Sequence, residues 1–212
     1  MSLRGDEANR LFCEISLLRA NLEYSSLPAV SASLRELLKD PVVQRNPHLL
    51  LRTLVGKGDV DFQTDLAEAY RTWTAISHLS STLKDAQWMN RASGELGTIE
   101  FYKGNIFRAM ALVGKALVTA EVNGDIGAQI HFRAVLGEGF LEAHRYADAL
   151  NFFQHAIDLA NSTAGAEPPF TAQLGRGRAL LSLKRITEGL AALNQLLEDS
   201  KKRGCGYGRH EP

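Results

Sequence analysis

The stretch LGEGFLEAHRYADALNFFQHAI, Leu136 to Ile157, decides the fold. It holds two apolar patterns at helical spacing, joined by the polar pair His144 and Arg145. Small residues stand where a lone helix would place large ones: Gly137, Gly139, Ala149 and Ala156 interrupt faces that Leu136, Phe140, Leu150 and Phe153 occupy. Glycine costs up to about 1 kcal/mol against alanine inside a helix, so its presence calls for a gain elsewhere. A missing side chain supplies that gain by letting a neighbouring helix come close and a bulky residue fill the space.

The same device recurs along the chain. Gly97, Gly137 and Gly177 are spaced by 40 residues, each in the middle of an apolar-periodic segment. Other columns keep the interval: Ile106, Tyr146 and Ile186; Ala109, Ala149 and Gly189; Val113, Phe153 and Leu193; Leu117, Ile157 and Leu197. Short polar breaks, KGN at Lys103 to Asn105, HR at His144 to Arg145 and KR at Lys184 to Arg185, force consecutive helices to lie antiparallel. Each unit is therefore a helical hairpin. Upstream, Ala69, Trp73 and Ile76 repeat the small-large-apolar set of a second helix, with Gly56 about one residue out of phase.

ANRLFCEISLLRANLEY and SSLPAVSASLRELL read as a degenerate first pair, with Ser26 suited to cap and Pro28 to the first turn. Five hairpins are expected, roughly 6–40, 44–80, 85–122, 126–161 and 168–200, in one domain spanning 1–212 with a flexible tail at 201–212. STAGAEPPF, Ser162 to Phe170, reads as a loop between repeats. No segment has the period-two alternation of a half-buried strand, so the expected class is all-α.

Composition narrows the function. With 45% hydrophobic residues in 212, the chain has material for a sizeable core. Its 24 basic and 24 acidic side chains cancel, which gives no field toward nucleic acid or an anionic membrane. The two cysteines, Cys13 and Cys205, exclude a disulfide framework and a four-thiolate zinc site, and a reducing cytosol fits best. Cys205 reads as exposed in the tail, and KKR at Lys201 to Arg203 as a helix end complementing its dipole. No window approaches the roughly 20 apolar residues of a membrane span.

Motifs for chemistry are missing. There is no nucleophile elbow, no zinc-protease helix and no phosphate loop. VGKGD at Val55 to Asp59 lacks a phosphate loop's spacing and reads as a turn between helices. His131, His144 and His155 lack the i, i+4 spacing that aims two imidazoles at one ion. No cofactor, metal or catalytic residue is expected.

The small-large pattern resembles the tetratricopeptide repeat (TPR), in a long-period bacterial form. LGEGF, Leu136 to Phe140, matches L-G-x-x-Y with Phe for Tyr, and ALNFF, Ala149 to Phe153, matches A-x-x-x-F. Helices of about 18 residues account for a period of 40 rather than 34, and Glu100 and Arg176 stand where the pattern has an apolar residue. The resemblance implies a right-handed α-solenoid of about five antiparallel helix pairs, a TPR-like superhelix with a concave groove lined mainly by first helices. It further implies a non-catalytic scaffold or sensory module that binds protein or peptide, plausibly within a larger signalling protein. The alternative is a helical regulatory domain that senses a small ligand or signalling peptide.

The groove-facing positions follow from the 40-residue shift. Arg91, Glu95, Thr98, Phe101 and Tyr102 belong to the third unit; His131, Ala134, Glu138, Leu141 and Glu142 to the fourth; Thr171, Arg178 and Ser182 to the fifth. Glu138 and Glu142, four apart, repel unless a positive group lies near, and Arg178 is the candidate. Phe101 and Tyr102 would serve as apolar anchors. Glu95 and Glu138 stand where a clamp for a C-terminal carboxylate needs Lys and Asn, so the expected partner has some basic character.

Overall fold

Three helices begin for one reason. Asp40, Asn46 and Asp65 each hold extended backbone and accept hydrogen bonds from the amides two and three residues on, and Pro41 and Pro47 open their helices. The computed structural model describes residues 3–20, 22, 26–166 and 168–202, so Arg203, Cys205 and the tail beyond Lys202 lie outside the described residues. Among the described residues there are eleven helices and no strand: α1 (Leu3–Ala20), α2 (Leu27–Leu37), α3 (Pro41–Arg45), α4 (Pro47–Thr64), α5 (Leu66–Leu83), α6 (Ala86–Tyr102), α7 (Ile106–Val122), α8 (Ile126–Glu142), α9 (Tyr146–Asn161), α10 (Phe170–Ser182) and α11 (Ile186–Lys202).

The chain divides into two compact units, one up to Ile99 and one from Glu100. In the first, Leu11 and Ile15 of α1, Val30 and Leu34 of α2, Val43 of α3 and Leu49 and Val60 of α4 form one buried cluster. A second joins Leu51 and Val55 of α4 to Ala69, Trp73 and Ile76 of α5 and to Ala92 and Ile99 of α6. The indole of Trp73 lies against Gly58, where an added Cβ would stand 2.9 Å from the ring. VGKGD is accordingly not a turn: it lies inside α4, and its glycines are sites of close approach rather than chain reversal. The reversal falls on the single residue Asp65. Between α4 and α5, Lys57 Nζ donates to buried Asp61 at 2.5 Å and to Thr72 at 3.0 Å, while the Thr72 hydroxyl donates to Asp61 at 2.7 Å. Ser26 stands at the head of α2 without a side-chain cap bond; its carbonyl accepts from Val30 N.

In the second unit, α7 and α8 share a core of Val113, Ala116, Leu117, Ala120, Ala128, Phe132 and Leu136. α8, α9 and α10 share another, with Ala134, Leu141, Ala149, Phe153, Ala156, Ala172 and Ala179. Phe153 is its wedge. An added Cβ at Gly137 of α8 would stand 2.6 Å from the Phe153 ring, and one at Gly175 of α10 would overlap it outright. Gly177 does the same for Leu193 of α11, at 2.5 Å. Gly97 is buried in α6. The columns fade at the end of the array: Ile157 is buried, whereas its counterpart Leu197 is half exposed on α11, the last described helix.

Five helix ends share a geometry. Lys84, Gly104, Gly124, His144 and Lys184 have φ between 57° and 82°, in the left-handed region. In each, the following amide reaches back five residues, as Asn105 N does to Glu100 O and Arg145 N to Phe140 O, both at 2.9 Å, which closes a Schellman motif. Four of these residues are spaced by 20, a helix plus its turn, and two such steps make the 40-residue period. Glu100, one of the two charges at an apolar column, serves the turn: it is buried, accepts from Asn105 Nδ2 at 2.8 Å and lies 3.6 Å from Lys103. The Asn105 hydrogen bond, helped by Arg108 and Lys103, holds its carboxyl below the ordinary range.

Candidate functional site

α10 organises the second unit because successive residues turn by about 100°. Ala172, Gly175 and Ala179 face the core around Phe153; Gly177 faces Leu193 on α11. That leaves Arg176 and Arg178, two positions apart, on opposite sides of the helix. Each marks a surface of its own.

On the Arg178 side, the guanidinium bridges two carboxylates of α8, Nη1 donating to Glu138 at 3.0 Å and Nη2 to Glu142 at 3.4 Å. The like charges four apart thus share one cation between two hairpins. Burial raises the Glu138 carboxyl above its ordinary range despite the opposing pull of Arg178. Tyr102 is 70% exposed in the same unit, while Phe101 packs its ring over Gly139 and joins the core. His131 is half-buried. Ala134 and Leu141 are covered rather than open, because a first helix in a stack has neighbours on both flanks as well as its own partner. The accessible strip of α8 narrows to Glu138, Glu142 and the residues beside them.

The three third-unit positions that lie before Glu100 belong to the first unit and are less open than their column predicts. Glu95 and Thr98 are buried; Glu95 pairs with Arg91 at 2.6 Å, and the Thr98 hydroxyl donates to Gly94 O at 3.0 Å.

On the Arg176 side lies a groove of about 760 Å³, walled by Ala147, Leu150, Asn151 and Gln154 of α9 and by Glu188, Ala191, Ala192 and Gln195 of α11, with Arg176 and Leu180 of α10 as its floor. Arg185 sits at the rim, where Nε and Nη2 donate to Glu188 at 2.8 and 2.6 Å. That pair is mutually compensated: each partner favours the other's charged form. Arg176 is not. Its Nη1 lies 3.5 Å from Gln154 Oε1, and its Nε–H is shielded from solvent with no acceptor. A buried donor left so is costly unless something accepts from it.

Sequence reasoning marked Arg176 only as a departure from the repeat. The signal for the groove is in the 40-residue columns: Leu136, Phe140 and Phe152 correspond to Arg176, Leu180 and Ala192. Among the described residues no group of three or more His, Cys, Asp and Glu side chains is placed to hold a metal ion, and no helix is long and apolar enough to cross a membrane.

No family model and no curated protein matches the chain. Solved structures do. BtubC from P. vanneervenii superposes with a TM-score of 0.65 over 99% of this chain and 88% of its own, at 14% identity. The nearly identical TPR-like repeats of a Podosopora anserina kinesin light chain superpose at 0.58 over 93% of this chain and 97% of theirs, at 12% identity. At such identities the likeness is one of fold, and together with the all-helical architecture and its glycine-seated aromatic wedges it makes the chain a helical-repeat protein of TPR-like fold.

Proposed function

We propose that the chain is a non-catalytic helical-repeat module that holds a protein or peptide partner against the first-helix strip of its second unit. The observation that carries this reading is the Glu138–Arg178–Glu142 bridge. It fixes charged side chains of two successive hairpins in one accessible patch, near the scale on which a peptide spans repeats. Two carboxylates sharing one guanidinium leave one net negative charge, which suits a partner of some basic character. Tyr102 is the apolar anchor available to it. A signalling role within a larger protein is part of the same proposal.

The test is a binding screen of the full chain against a basic and an acidic peptide pool, repeated with Glu138→Lys/Glu142→Lys. Preference for the basic pool, lost in the double variant while the melting temperature holds, supports the strip. Equal binding by the variant refutes it. A melting temperature raised by small metabolites instead would favour the ligand-sensing alternative, since whatever binds only the native state stabilises it.

A further inference from the structure

The groove between α9 and α11 is a vacant copy of a niche that the preceding repeat fills with its own side chains. In that repeat, Phe152 of α9 and Phe140 of α8 stack with ring centroids 5.1 Å apart, beside buried Leu136, and the Arg145 guanidinium lies over the Phe140 ring at 4.7 Å. Forty residues later the stacking pair is Ala192 and Leu180, the leucine is Arg176, and the capping arginine is Arg185. The walls are kept and the contents are gone. What the exchange removes is an aromatic ring's worth of filling; what it adds is one uncompensated, half-buried guanidinium.

From this we infer that the α9–α10–α11 groove is a second binding site, which takes a segment of a partner protein carrying an aromatic side chain beside a carboxylate. The aromatic side chain occupies the space over Ala191, Ala192 and Leu180, as Phe152 does one repeat earlier. The carboxylate accepts from Arg176, whose fork matches it in two hydrogen bonds. The amides of Asn151, Gln154 and Gln195 along both walls serve the segment's backbone. Charge decides against a basic occupant here: Arg185 and Glu188 cancel, and Arg176 leaves the groove positive. The site lies on the other side of α10 from the Arg178 strip and stands or falls independently of it.

The probe is an acetylated, amidated tetrapeptide Ser-Phe-Glu-Gly, titrated into the ¹⁵N-labelled full chain and followed at the Arg176 Nε–H and the Ala191 and Ala192 amides. Saturable shifts at these three signals are expected, with affinity reduced at least about fivefold when Glu becomes Gln or Phe becomes Ala. Arg176→Leu/Ala192→Phe, which copies the filled niche, is expected to raise the melting temperature by about 3 °C or more and to abolish the shifts. Glu138→Lys/Glu142→Lys is expected to leave them unchanged. The inference is overturned if the Glu and Gln peptides bind alike, if nothing shifts at millimolar peptide, if free glutarate binds as well as the peptide, or if the niche-filling variant still binds.

Discussion

Two niches of the second unit, offset by one repeat, have the same walls and opposite contents. The one between α7 and α9 is closed by Leu136, Phe140 and Phe152; the one between α9 and α11 is open over Arg176, Leu180 and Ala192. The difference is three side chains on a common backbone plan. It teaches that in such an array a hairpin's seating and a neighbouring niche's filling are separate matters, because Phe153 seats both: its ring lies against Gly137 on one flank and Gly175 on the other, whatever happens in the niches.

The largest effect should follow from removing what the two niches share. Phe153→Ala is expected to lower the unfolding free energy by about 3–5 kcal/mol, read from urea denaturation, since a fully buried ring leaves a cavity touching three helices. A loss under about 1 kcal/mol would mean that the two flanks close without it. Next in size, Gly137→Ala is expected to cost about 1–3 kcal/mol, because Phe153 has no room to retreat toward Gly175. Gly114→Ala on α7, where an added Cβ meets nothing within 4 Å, is the control and should gain about 0.5–1 kcal/mol. If both glycines respond alike, packing is not what keeps Gly137.

A smaller effect tests the turns. Lys184 holds φ at 63°, a conformation glycine adopts without strain, so Lys184→Gly is expected to raise stability by about 1 kcal/mol. Gly124→Ala should lose a similar amount, and thermal melts of the two variants should move in opposite directions.

The smallest effect concerns the strip on the far side of α10. Burial raises Glu138, so the folded chain binds that proton at a higher pH than the unfolded chain does. Stability tied to this group is complete below the ordinary carboxylate range and is lost as pH rises through the raised value. Glu138→Gln, which stays neutral, should therefore gain on the wild type between pH 4 and pH 7 in urea midpoints; a constant difference would show that Arg178, not burial, governs the carboxyl. Glu100, shifted the other way, contributes above the ordinary range and loses its contribution in acid.

The helical class and the wedge of large residues against small ones were readable because columns 40 apart repeat the same size contrast, and Phe153 and Gly137 are named by that contrast alone. The bridging of Glu138 and Glu142 by Arg178 also follows from column spacing. Gly56 and Gly58 were misleading because glycine marks both a turn and a close approach, and only the position of Trp73 distinguishes them. Ala134 and Leu141 were misplaced because a helical wheel knows one partner helix, whereas a stacked first helix has more. Arg176 was visible as an oddity, but its meaning needs three dimensions: a groove exists only when Ala192, sixteen residues later on another helix, is small at the same place.

The left-handed residues at 84, 104, 124 and 144 act as the teeth of a ratchet. A single inserted residue anywhere between two of them would swing every later side chain by about 100° around its axis and uncouple each wedge from its glycine seat. Such a chain tolerates growth only by whole modules, while exchanges of individual side chains in the niches leave its frame untouched. New specificity therefore costs this architecture little, and new length costs it a complete hairpin.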